Sequence, residues 1–404
     1  MSWPAAEFQS LFAAPSRNGI YKSKEHHGAG AKVINMGELF AFDRIGMQNM
    51  SRVQMTEQEL VKDGVKSGDL LFGRRSLVEE GAGRCALAWD IEEPTTFESS
   101  IIRVRLNSEI ADPPFYFYYF RSPAGRGLIR SIVSGATVKG IRGSDLQRLK
   151  VVHPPLCTQT EISKRLFYFD DLIETNRRRI ALLEESARLL YREWFVNLRF
   201  PGYESATREG TLPDGWNMQL LNEVAEVNRT SLSSKSQPNE IQYVDIASVE
   251  TGVVLGATKM LFAEAPGRAR RLVQHGDVIW SCVRPNRRSY ALMWQPDDDI
   301  VVSTGFAVLS AKCVPFSYLY FATTSDDFVA YLTNRATGAA YPAVTASDFE
   351  EAPLLCPTSD VLQDFHERCL PVLELRNTLI IQNGQLTIAR DALLPKLMSG
   401  AIQV

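Results

Sequence analysis

The sequence predicts an α+β fold in which two similar mixed α/β domains are each followed by a long helix. The two helices are predicted to pair as an antiparallel coiled coil with pseudo-twofold symmetry. Two observations support this prediction. The chain of 404 residues contains the same unit twice, and each copy ends in a stretch with a heptad pattern of apolar residues.

The repeat is visible in short segments that recur, in the same order, about 200 positions later. The aromatic run 114–120 (PFYFYYF) recurs at 315–321 (PFSYLYF). The segment 134–136 (SGA) recurs at 337–339 (TGA). Each match is weak by itself, but the preserved order and the slowly drifting offset indicate two copies of one unit.

The first part of each copy is predicted to be mixed. Short β-rich stretches such as Asp69–Phe72 and Ile101–Leu106 are bounded by glycine and proline, which is typical of strands and turns. The run Phe115–Phe120 is predicted to begin a helix whose rings fill the core, because clustered aromatic residues are usually core residues.

The second part of each copy is predicted to be a long helix. In the first copy, apolar residues recur at alternating steps of four and three, with Asn176 as the polar exception. We expect Asn176 to fix the register by lying near Gln382 or Asn383 of the partner helix. The residues of this seam are Ile162, Leu166, Phe169, Ile173, Asn176, Ile180, Leu183, Ala187, Leu190 and Trp194.

The seam of the second helix is less regular. Pro371 is expected to kink or restart this helix near its beginning. The predicted intermediate seam positions are Leu375, Gln382 and Ala389. The positions that repeat every seven residues are Phe365, Val372, Leu379, Leu386 and Leu393.

These patterns divide the chain into five segments. The predicted segments are a first mixed domain at 1–155, a central helical region at 156–200, a linker at 201–215, a second mixed domain at 216–357 and a C-terminal helical region at 358–404.

The composition is that of a globular protein, with 45% hydrophobic residues and a net charge of −3. The six cysteines contain no C-x-x-C pair and the histidines do not join them at metal-ligand spacing, so we expect reduced thiols and no metal site. We find neither a signal peptide nor an apolar run long enough to span a membrane, and therefore expect a cytoplasmic protein. Basic residues are locally concentrated, as in the arginine-rich stretch 268–288.

Four segments resemble a known family. Residues 170–178 (DDLIETNRR) and 189–196 (LLYREWFV) are similar to the central conserved helix of type I restriction–modification specificity subunits. Residues 212–216 (LPDGW) resemble the start of that family's second target-recognition domain, and 389–400 (ARDALLPKLMSG) resemble its C-terminal signature. The N-terminus departs from the pattern, because Trp3 lacks the Leu-Pro-x-Gly segment before it.

The resemblance implies a non-catalytic, sequence-specific DNA-binding subunit. Two target-recognition domains would each read one half of a bipartite, asymmetric double-stranded DNA target, and the paired helices would set the gap between the halves. The implied partners are two modification (methyltransferase) subunits and motor-nuclease restriction subunits. The chain itself would need no cofactor, because S-adenosylmethionine, ATP and magnesium would be bound by those partners.

Basic and polar loop residues are the candidates for DNA contact, since lysine, arginine and threonine bind phosphates and arginine reads base edges. In the first domain the candidates are Lys22, Lys24, Arg74, Arg75, Thr137, Lys139 and Arg142. In the second domain they are Arg229, Lys235, Arg284, Arg287, Arg288 and Tyr341.

Two alternative functions remain at this stage. The first is a repeat scaffold that binds only protein. The second is an adenine methyltransferase, because the segment 112–115 (DPPF) fits the pattern with which amino-methyltransferases hold a flipped base, and 81–83 (GAG) faintly resembles a cofactor loop. Against the methyltransferase, the second copy has Cys313-Val314 where the first has the Asp-Pro pair, and too few residues separate the two motifs for a cofactor-binding domain.

Overall fold

The computed structural model describes residues 3–204, 208–209, 212–233 and 238–402. The chain forms two compact units. Unit 1 comprises residues 1–175 together with 382–404, and unit 2 comprises residues 176–381. Each unit therefore contains one mixed domain and one segment of each long helix, which is the organisation that the sequence repeat predicts.

The mixed domain of unit 1 is built on two sheets. The larger is antiparallel except for its last pair, and its strand order is Phe12–Asn18, Ile101–Leu106, Leu70–Gly73, Cys85–Ala88 and Arg44–Ile45. The smaller has the order Arg52–Val53, His27–Ile34 and Thr95–Phe97. Two further pairs join Ala5–Glu7 to Lys150–Val152 and Arg75–Ser76 to Lys139–Gly140. The short helices are Met36–Ala41, Glu57–Asp63, Pro113–Arg121, Pro123–Ile132 and Gly143–Gln147.

The mixed domain of unit 2 also has two main sheets. The first is antiparallel, with the order Ala225–Val227, Phe306–Ala311, Val278–Ser281 and Tyr290–Leu292. The second has the order Thr258–Leu261, Glu240–Val244, Ile300–Ser303 and Ala269–Leu272. Two-stranded pairs join Asn217–Leu220 to Pro353–Cys356, Val249–Glu250 to Val253–Val254 and Arg208–Glu209 to Leu212–Pro213. The short helices are Leu221–Val224, Phe316–Thr323, Asp326–Arg335 and Ala346–Glu350.

The same turn precedes the central strand of the main sheet in both units. Gly68 and Gly276 have φ angles of +92° and +86°, a conformation that L side chains rarely adopt. The carboxylates of the following residues, Asp69 and Asp277, are buried, and each accepts a hydrogen bond from the backbone N–H three residues earlier. The repeated Gly-Asp dipeptide in the sequence therefore encodes a repeated turn.

The aromatic helices fill the two cores, as predicted. In the helix Pro113–Arg121, all six rings of Phe115–Phe120 are buried. In unit 2, Tyr318, Tyr320 and Phe321 are buried at the corresponding place. These rings hold the sheet against the long helices, because buried aromatic side chains supply large apolar areas to a core.

The two long helices are Leu156–Tyr191, which continues as a single π-helical turn over Arg192–Val196, and Ser359–Met398. Within unit 1 their segments run antiparallel, since Asp170 pairs with Arg390 and the carbonyl of Ile173 accepts a bond from Asn383. None of the helices in the described part of the chain is long and apolar enough to cross a membrane.

Within unit 2 the helix segments are also antiparallel. Glu184 pairs with Arg376, and further along the first helix the ring of Trp194 lies 5.9 Å from that of Phe365. Every predicted seam residue of the first helix is buried or half-buried, and Asn176 is 1% exposed. On the second helix Leu379 is buried, while Leu386 and Leu393 are half-buried.

Two of the three predicted intermediate seam positions of the second helix are wrong by one residue, while the third, Ala389, is half-buried. Leu375 and Gln382 are exposed, whereas the next residue in each case is turned inward. The apolar heptad pattern misplaced these positions because polar side chains lie on the inner face of the second helix, where they form ion pairs with carboxylates of the first helix. The expected restart at Pro371 is also wrong, since the helix continues through this residue. The inward positions are Cys369, Arg376, Asn383, Arg390 and Leu397, all buried or half-buried.

Each unit joins its mixed domain to its helix pair with a tyrosine, a carboxylate and an arginine. In unit 1, Tyr118 and Arg390 both donate to Asp170, each at 2.5 Å. In unit 2, Tyr320 donates to Glu184 at 2.6 Å and Arg376 donates to the same carboxylate at 3.0 Å. These trios use the same three residue chemistries at positions that do not correspond in the repeat.

The Glu184 cluster is the more extensive of the two. Arg188 also donates to Glu184 at 2.9 Å and to the Tyr290 hydroxyl at 3.1 Å, and Arg376 donates to the carbonyl of Gly252. Burial by itself raises the pKa of Glu184, but the Arg376 guanidinium, the Tyr320 hydroxyl and Arg188 lower this pKa by more. The net pKa of Glu184 therefore lies below its ordinary value.

Candidate nucleic-acid interface

A closed loop at the same place in each copy carries several of the candidate DNA-binding residues. In unit 1, the N–H and carbonyl groups of Ser134 and Gly140 exchange two hydrogen bonds of 2.9 Å. In unit 2, Thr337 and Ala343 exchange bonds of 3.0 and 2.9 Å. The two loops have equal length, and we name them loop 1 (residues 134–140) and loop 2 (residues 337–343).

The second residue of each loop is a glycine with a backbone conformation that other residues rarely adopt. Gly135 and Gly338 both have a φ angle of +107°. An added Cβ atom at Gly135 would lie 2.1 Å from the carbonyl oxygen of Val138, and one at Gly338 would lie 3.1 Å from that of Tyr341. Glycine is required because the chain must turn here with its backbone close to the returning strand.

Loop 1 lies against the segment that follows the central strand of the sheet. Lys139 and Gly140 pair with Arg75 and Ser76, and the N–H of Ile141 donates to the carbonyl of Arg74 at 3.1 Å. The structure therefore brings together five of the first-domain candidates. Arg75, Thr137 and Arg142 are exposed, while Arg74 and Lys139 are half-buried.

A basic cavity of about 440 Å³ lies beside loop 1. Its lining includes Ser134 of the loop, the side chains of Arg142 and Arg148, and Asp145. Arg148 is not among the residues predicted from sequence, because a single arginine directly after the short helix Gly143–Gln147 carries no distinguishing signal.

Loop 2 lies against the arginine-rich segment of unit 2. The N–H of Arg284 donates to the carbonyl of Pro342 at 2.7 Å, and Val283 forms a β-bridge with Ala343. The Arg284 guanidinium donates to the carbonyl of Ala340 at 3.0 Å and lies 4.5 Å above the ring of Tyr341. Arg284 and Tyr341 therefore form one assembly at the tip of the loop.

The three candidate arginines of this segment have different environments. Arg284 and Arg288 both have left-handed backbones, with φ angles of +53° and +56°, on either side of the single helical turn Pro285–Arg287. Arg288 forms an ion pair with Asp326 at 2.6 Å, whereas Arg287 is exposed. Non-glycine residues adopt this conformation rarely, and such strain is concentrated at functional sites.

The remaining candidates lie outside these loop assemblies. Lys22 forms an ion pair with Glu59 at 2.5 Å, and this hydrogen bond is the largest of the effects that lower the pKa of Glu59. Lys24 is exposed on a short helical turn. Arg229 donates to Gln274 at 2.5 Å and is also exposed. Lys235 lies outside the described residues.

Other arginines of the stretch 268–288 are engaged within the domain. Arg268 donates to Asp245 at 2.8 Å, and the Arg270 guanidinium lies 5.0 Å above the ring of Phe262. Arg271 donates to Ser231 at 3.2 Å. The stretch is therefore not one basic surface, and only its second half faces loop 2.

The segment 112–115 that fits a methyltransferase pattern has a structural role here. Asp112 is the N-cap of the helix Pro113–Arg121, and its carboxylate accepts a hydrogen bond from the N–H of Phe115 at 3.0 Å. Burial raises the pKa of Asp112 above its ordinary value. Among the described residues, no group of three or more His, Cys, Asp and Glu side chains is placed to hold a metal ion.

Comparison with known proteins gives a consistent result. Residues 20–185 match the model of the type I restriction modification DNA specificity domain. The chain is 23% identical over 305 residues to the MjaIX specificity subunit of Methanocaldococcus jannaschii, a match that covers 72% of this chain and 69% of that protein. It is 21% identical to the putative MjaX specificity subunit of the same organism, covering 100% of this chain and 94% of that protein.

A solved structure shares the fold. The S subunit of the type I restriction–modification system of M. genitalium superposes with a TM-score of 0.58 at 16% identity, over 98% of this chain and 96% of that one. The fold is thus that of a two-copy protein in which mixed domains sit on segments of paired long helices. The chain is therefore similar in sequence and in fold to type I restriction–modification specificity subunits.

Proposed function

We propose that this chain reads the DNA sequence for a type I restriction–modification complex, with loop 1 and loop 2 as the reading elements of its two units. The observation that carries the proposal is the repeated assembly of a closed loop with a basic segment. Both assemblies expose side chains that can contact DNA, the basic Arg75 and the hydroxyl of Thr137 in unit 1, and the basic Arg287 and the aromatic Tyr341 in unit 2.

The size of the loops suits a DNA groove. The major groove of B-DNA is about 12 Å wide and admits a two-stranded β-ribbon, and each loop is a seven-residue turn closed by a single β-bridge. Arginine and lysine at the base of the loop would contact phosphates and set the register, while residues at the tip would meet base edges. The net charge of −3 does not oppose this function, because phosphate binding depends on where the positive charges lie.

The two loops differ in the chemistry of their tips. Loop 1 has Thr137, Val138 and Lys139, whereas loop 2 has Ala340, Tyr341 and Pro342 at the same places. Two reading elements with different side chains recognise different bases. The proposed target is therefore bipartite and asymmetric.

The chain is proposed to act without catalysing a reaction itself. Two modification subunits would bind S-adenosylmethionine and methylate adenine, and motor-nuclease subunits would use ATP and magnesium. The capping role of Asp112 supports this proposal, since its carboxylate is already engaged with the helix that it begins.

Selection from a randomised duplex library tests the proposal. The purified chain, alone and with its modification subunit, is incubated with the library, and bound DNA is sequenced. Two short conserved half-sites separated by a fixed gap are expected. Methyl transfer from S-adenosylmethionine should require the modification subunit. Binding without any sequence preference would favour the protein-binding scaffold, and methylation by the chain alone that is lost in Asp112→Ala would favour the methyltransferase.

A further inference from the structure

The guanidinium of Arg284 is held in one orientation before any ligand arrives. One face lies 4.5 Å from the ring of Tyr341, and one N–H donates to the carbonyl of Ala340 at 3.0 Å. No carboxylate in the described part of the chain forms a salt bridge with it. Its positive charge is therefore oriented by a ring and a carbonyl, neither of which neutralises it.

The bond to Ala340 leaves a complete recognition edge. A guanidinium has five N–H donors. Nε and Nη2 form one edge with two donors, Nη2 and Nη1 form a second such edge, and the fifth donor is the other N–H of Nη1. The bond uses one donor of Nη2, which belongs to both edges, so one edge keeps both of its donors. A free two-donor edge with a fixed plane matches a pair of acceptors with a fixed separation, either on the edge of a base or on two oxygens of one phosphate, and the variants below distinguish these two ligands.

The guanidinium groups of the two neighbouring candidate arginines have different environments from that of Arg284. Arg288 shares the left-handed backbone, but its guanidinium is paired with Asp326 at 2.6 Å. Arg287 is exposed, and no aromatic ring among the described residues lies beneath its guanidinium. Of the three, only Arg284 combines an unneutralised charge with a fixed plane.

The exposure of Tyr341 supports a contact at this point. Its side chain is 69% exposed at the tip of loop 2, although tyrosine usually buries most of its ring. A large ring at a loop tip, stacked beneath an arginine, supplies a rigid platform that keeps the guanidinium plane from rotating.

We propose that Arg284 reads a guanine in the major groove of the half-site bound by unit 2, with Tyr341 as its positioning residue. This inference rests on the proposed function of loop 2. Guanine presents two acceptors, O6 and N7, on its major-groove edge, and a bidentate arginine contact to them is the commonest specific contact between proteins and DNA. Arg284 has a left-handed backbone, with a φ angle of +53°, and its guanidinium lies over the ring of Tyr341 at the loop tip.

The test measures base preference at each position of the selected half-site. Arg284→Gly removes the side chain while suiting the left-handed backbone, so the thermal midpoint should stay at or above that of the wild type. The modification complex carrying this variant should lose a roughly 5- to 150-fold preference for guanine at one position of one half-site, which is the range for a bidentate contact. All other positions should keep their preference.

Two further variants separate a base contact from a phosphate contact. Arg288→Gly is the matched control, since it makes the same change at a left-handed residue in the same segment, and it should leave the preference at every position unchanged, whatever its overall affinity. Tyr341→Leu should reduce the guanine preference partly, and Tyr341→Phe should retain it, because only the ring is needed for stacking.

The outcomes are distinct. Loss of preference at a single guanine in Arg284→Gly supports the inference. Uniform weakening across all sequences, with the salt dependence of binding reduced by about one phosphate, would identify Arg284 as a phosphate contact and overturn it. A half-site for unit 2 that contains no guanine would also overturn it. In both cases the wild-type chain would still select two half-sites. The proposed function would then stand, although the inference about Arg284 would be wrong.

Discussion

The buried carboxylate of Glu184 offers a sharp test of how unit 2 holds its helix pair. Glu184 accepts hydrogen bonds from Tyr320, Arg188 and Arg376 at 2.6, 2.9 and 3.0 Å. The side chain of Arg376 is 4% exposed. In Glu184→Gln, two guanidinium groups lose their negative partner, and Arg376 is left charged in a buried site.

The expected cost follows from this geometry. Breaking a buried ion pair by removing one partner costs about 3–5 kcal/mol. For a domain of this size each kcal/mol lowers the melting temperature by roughly 2–4 °C, so Glu184→Gln should lower the midpoint of unit 2 by roughly 6–20 °C. The double replacement Glu184→Met with Arg376→Met should recover part of this loss, because Arg376 is then no longer buried and charged, while Arg188 still lacks its negative partner.

A matched pair in the same unit provides the control. Arg335 pairs with Glu351 at 3.0 Å, the same distance as Arg376 and Glu184, but both side chains are about half exposed. Exposed pairs contribute about 0–1 kcal/mol, so Glu351→Gln should change the midpoint by less than roughly 4 °C. Thermal unfolding is monitored by circular dichroism. Equal changes in the melting midpoint of Glu184→Gln and Glu351→Gln would contradict the role assigned to the buried ion pair.

The same variant has a pH signature. Because the pKa of Glu184 is below its ordinary value in the folded chain, its ionised form stabilises unit 2 at neutral pH. This contribution is lost as the pH falls from about 4.5, the ordinary value, through the folded pKa. The stability of Glu184→Gln should therefore fall less steeply than that of the wild type in this acidic range.

Three other variants test separate features. Asp112→Ala removes a helix cap, so thermal denaturation should show a loss of about 0.5–2 kcal/mol, while methylation by the complex should persist at a temperature where the variant is folded. Gly135→Ala should weaken binding to duplexes that carry only the first half-site more than Gly338→Ala weakens binding to the second, because its added Cβ atom meets a carbonyl oxygen at 2.1 Å rather than 3.1 Å. Asn176→Leu places an apolar side chain at a buried seam position and should preserve or raise the melting midpoint; a large loss of stability would contradict the register role.

The repeat and the heptad pattern were sufficient to predict the architecture. Recurrence of the Gly-Asp turn and of the aromatic run indicates two copies because each segment has a local structural requirement, a left-handed glycine or a ring-filled core. The seam of the first helix could be read directly because its inward residues are apolar except at Asn176. The turn, the aromatic run and the apolar seam are each determined by residues that lie close together in the sequence, so a local pattern is enough to predict them.

The second helix could not be predicted to the same accuracy. Its inner face contains Arg376 and Arg390, which are buried only because Glu184 and Asp170 lie opposite them. A charged residue on an inner face is assigned to solvent unless its distant partner is known. The error of one residue in the intermediate seam positions follows from this missing information.

The candidate interface was predicted in part for a similar reason. The sequence analysis selected residues of both loops, Thr137 and Lys139 in loop 1 and Tyr341 in loop 2, but not the closure of the loops or their contacts with Arg74 and Arg284. Sequence could not show that Lys22 is paired with Glu59 or that Arg268 is paired with Asp245. Nor could it distinguish the stacked guanidinium of Arg284 from the ion-paired one of Arg288, since both are arginines in one short segment.

The most direct test of DNA reading by loop 1 and loop 2 is to replace their tips with glycine and serine and to sequence the methylated motif. Cells carrying the chain and its modification subunit are sequenced by a method that detects N6-methyladenine, with residues 136–139 or 339–342 replaced by glycine and serine. Replacing the tip of loop 1 should degrade the sequence requirement of one half-site, and replacing the tip of loop 2 should degrade only the other. An unchanged methylated motif in both variants would show that these loops do not read the DNA.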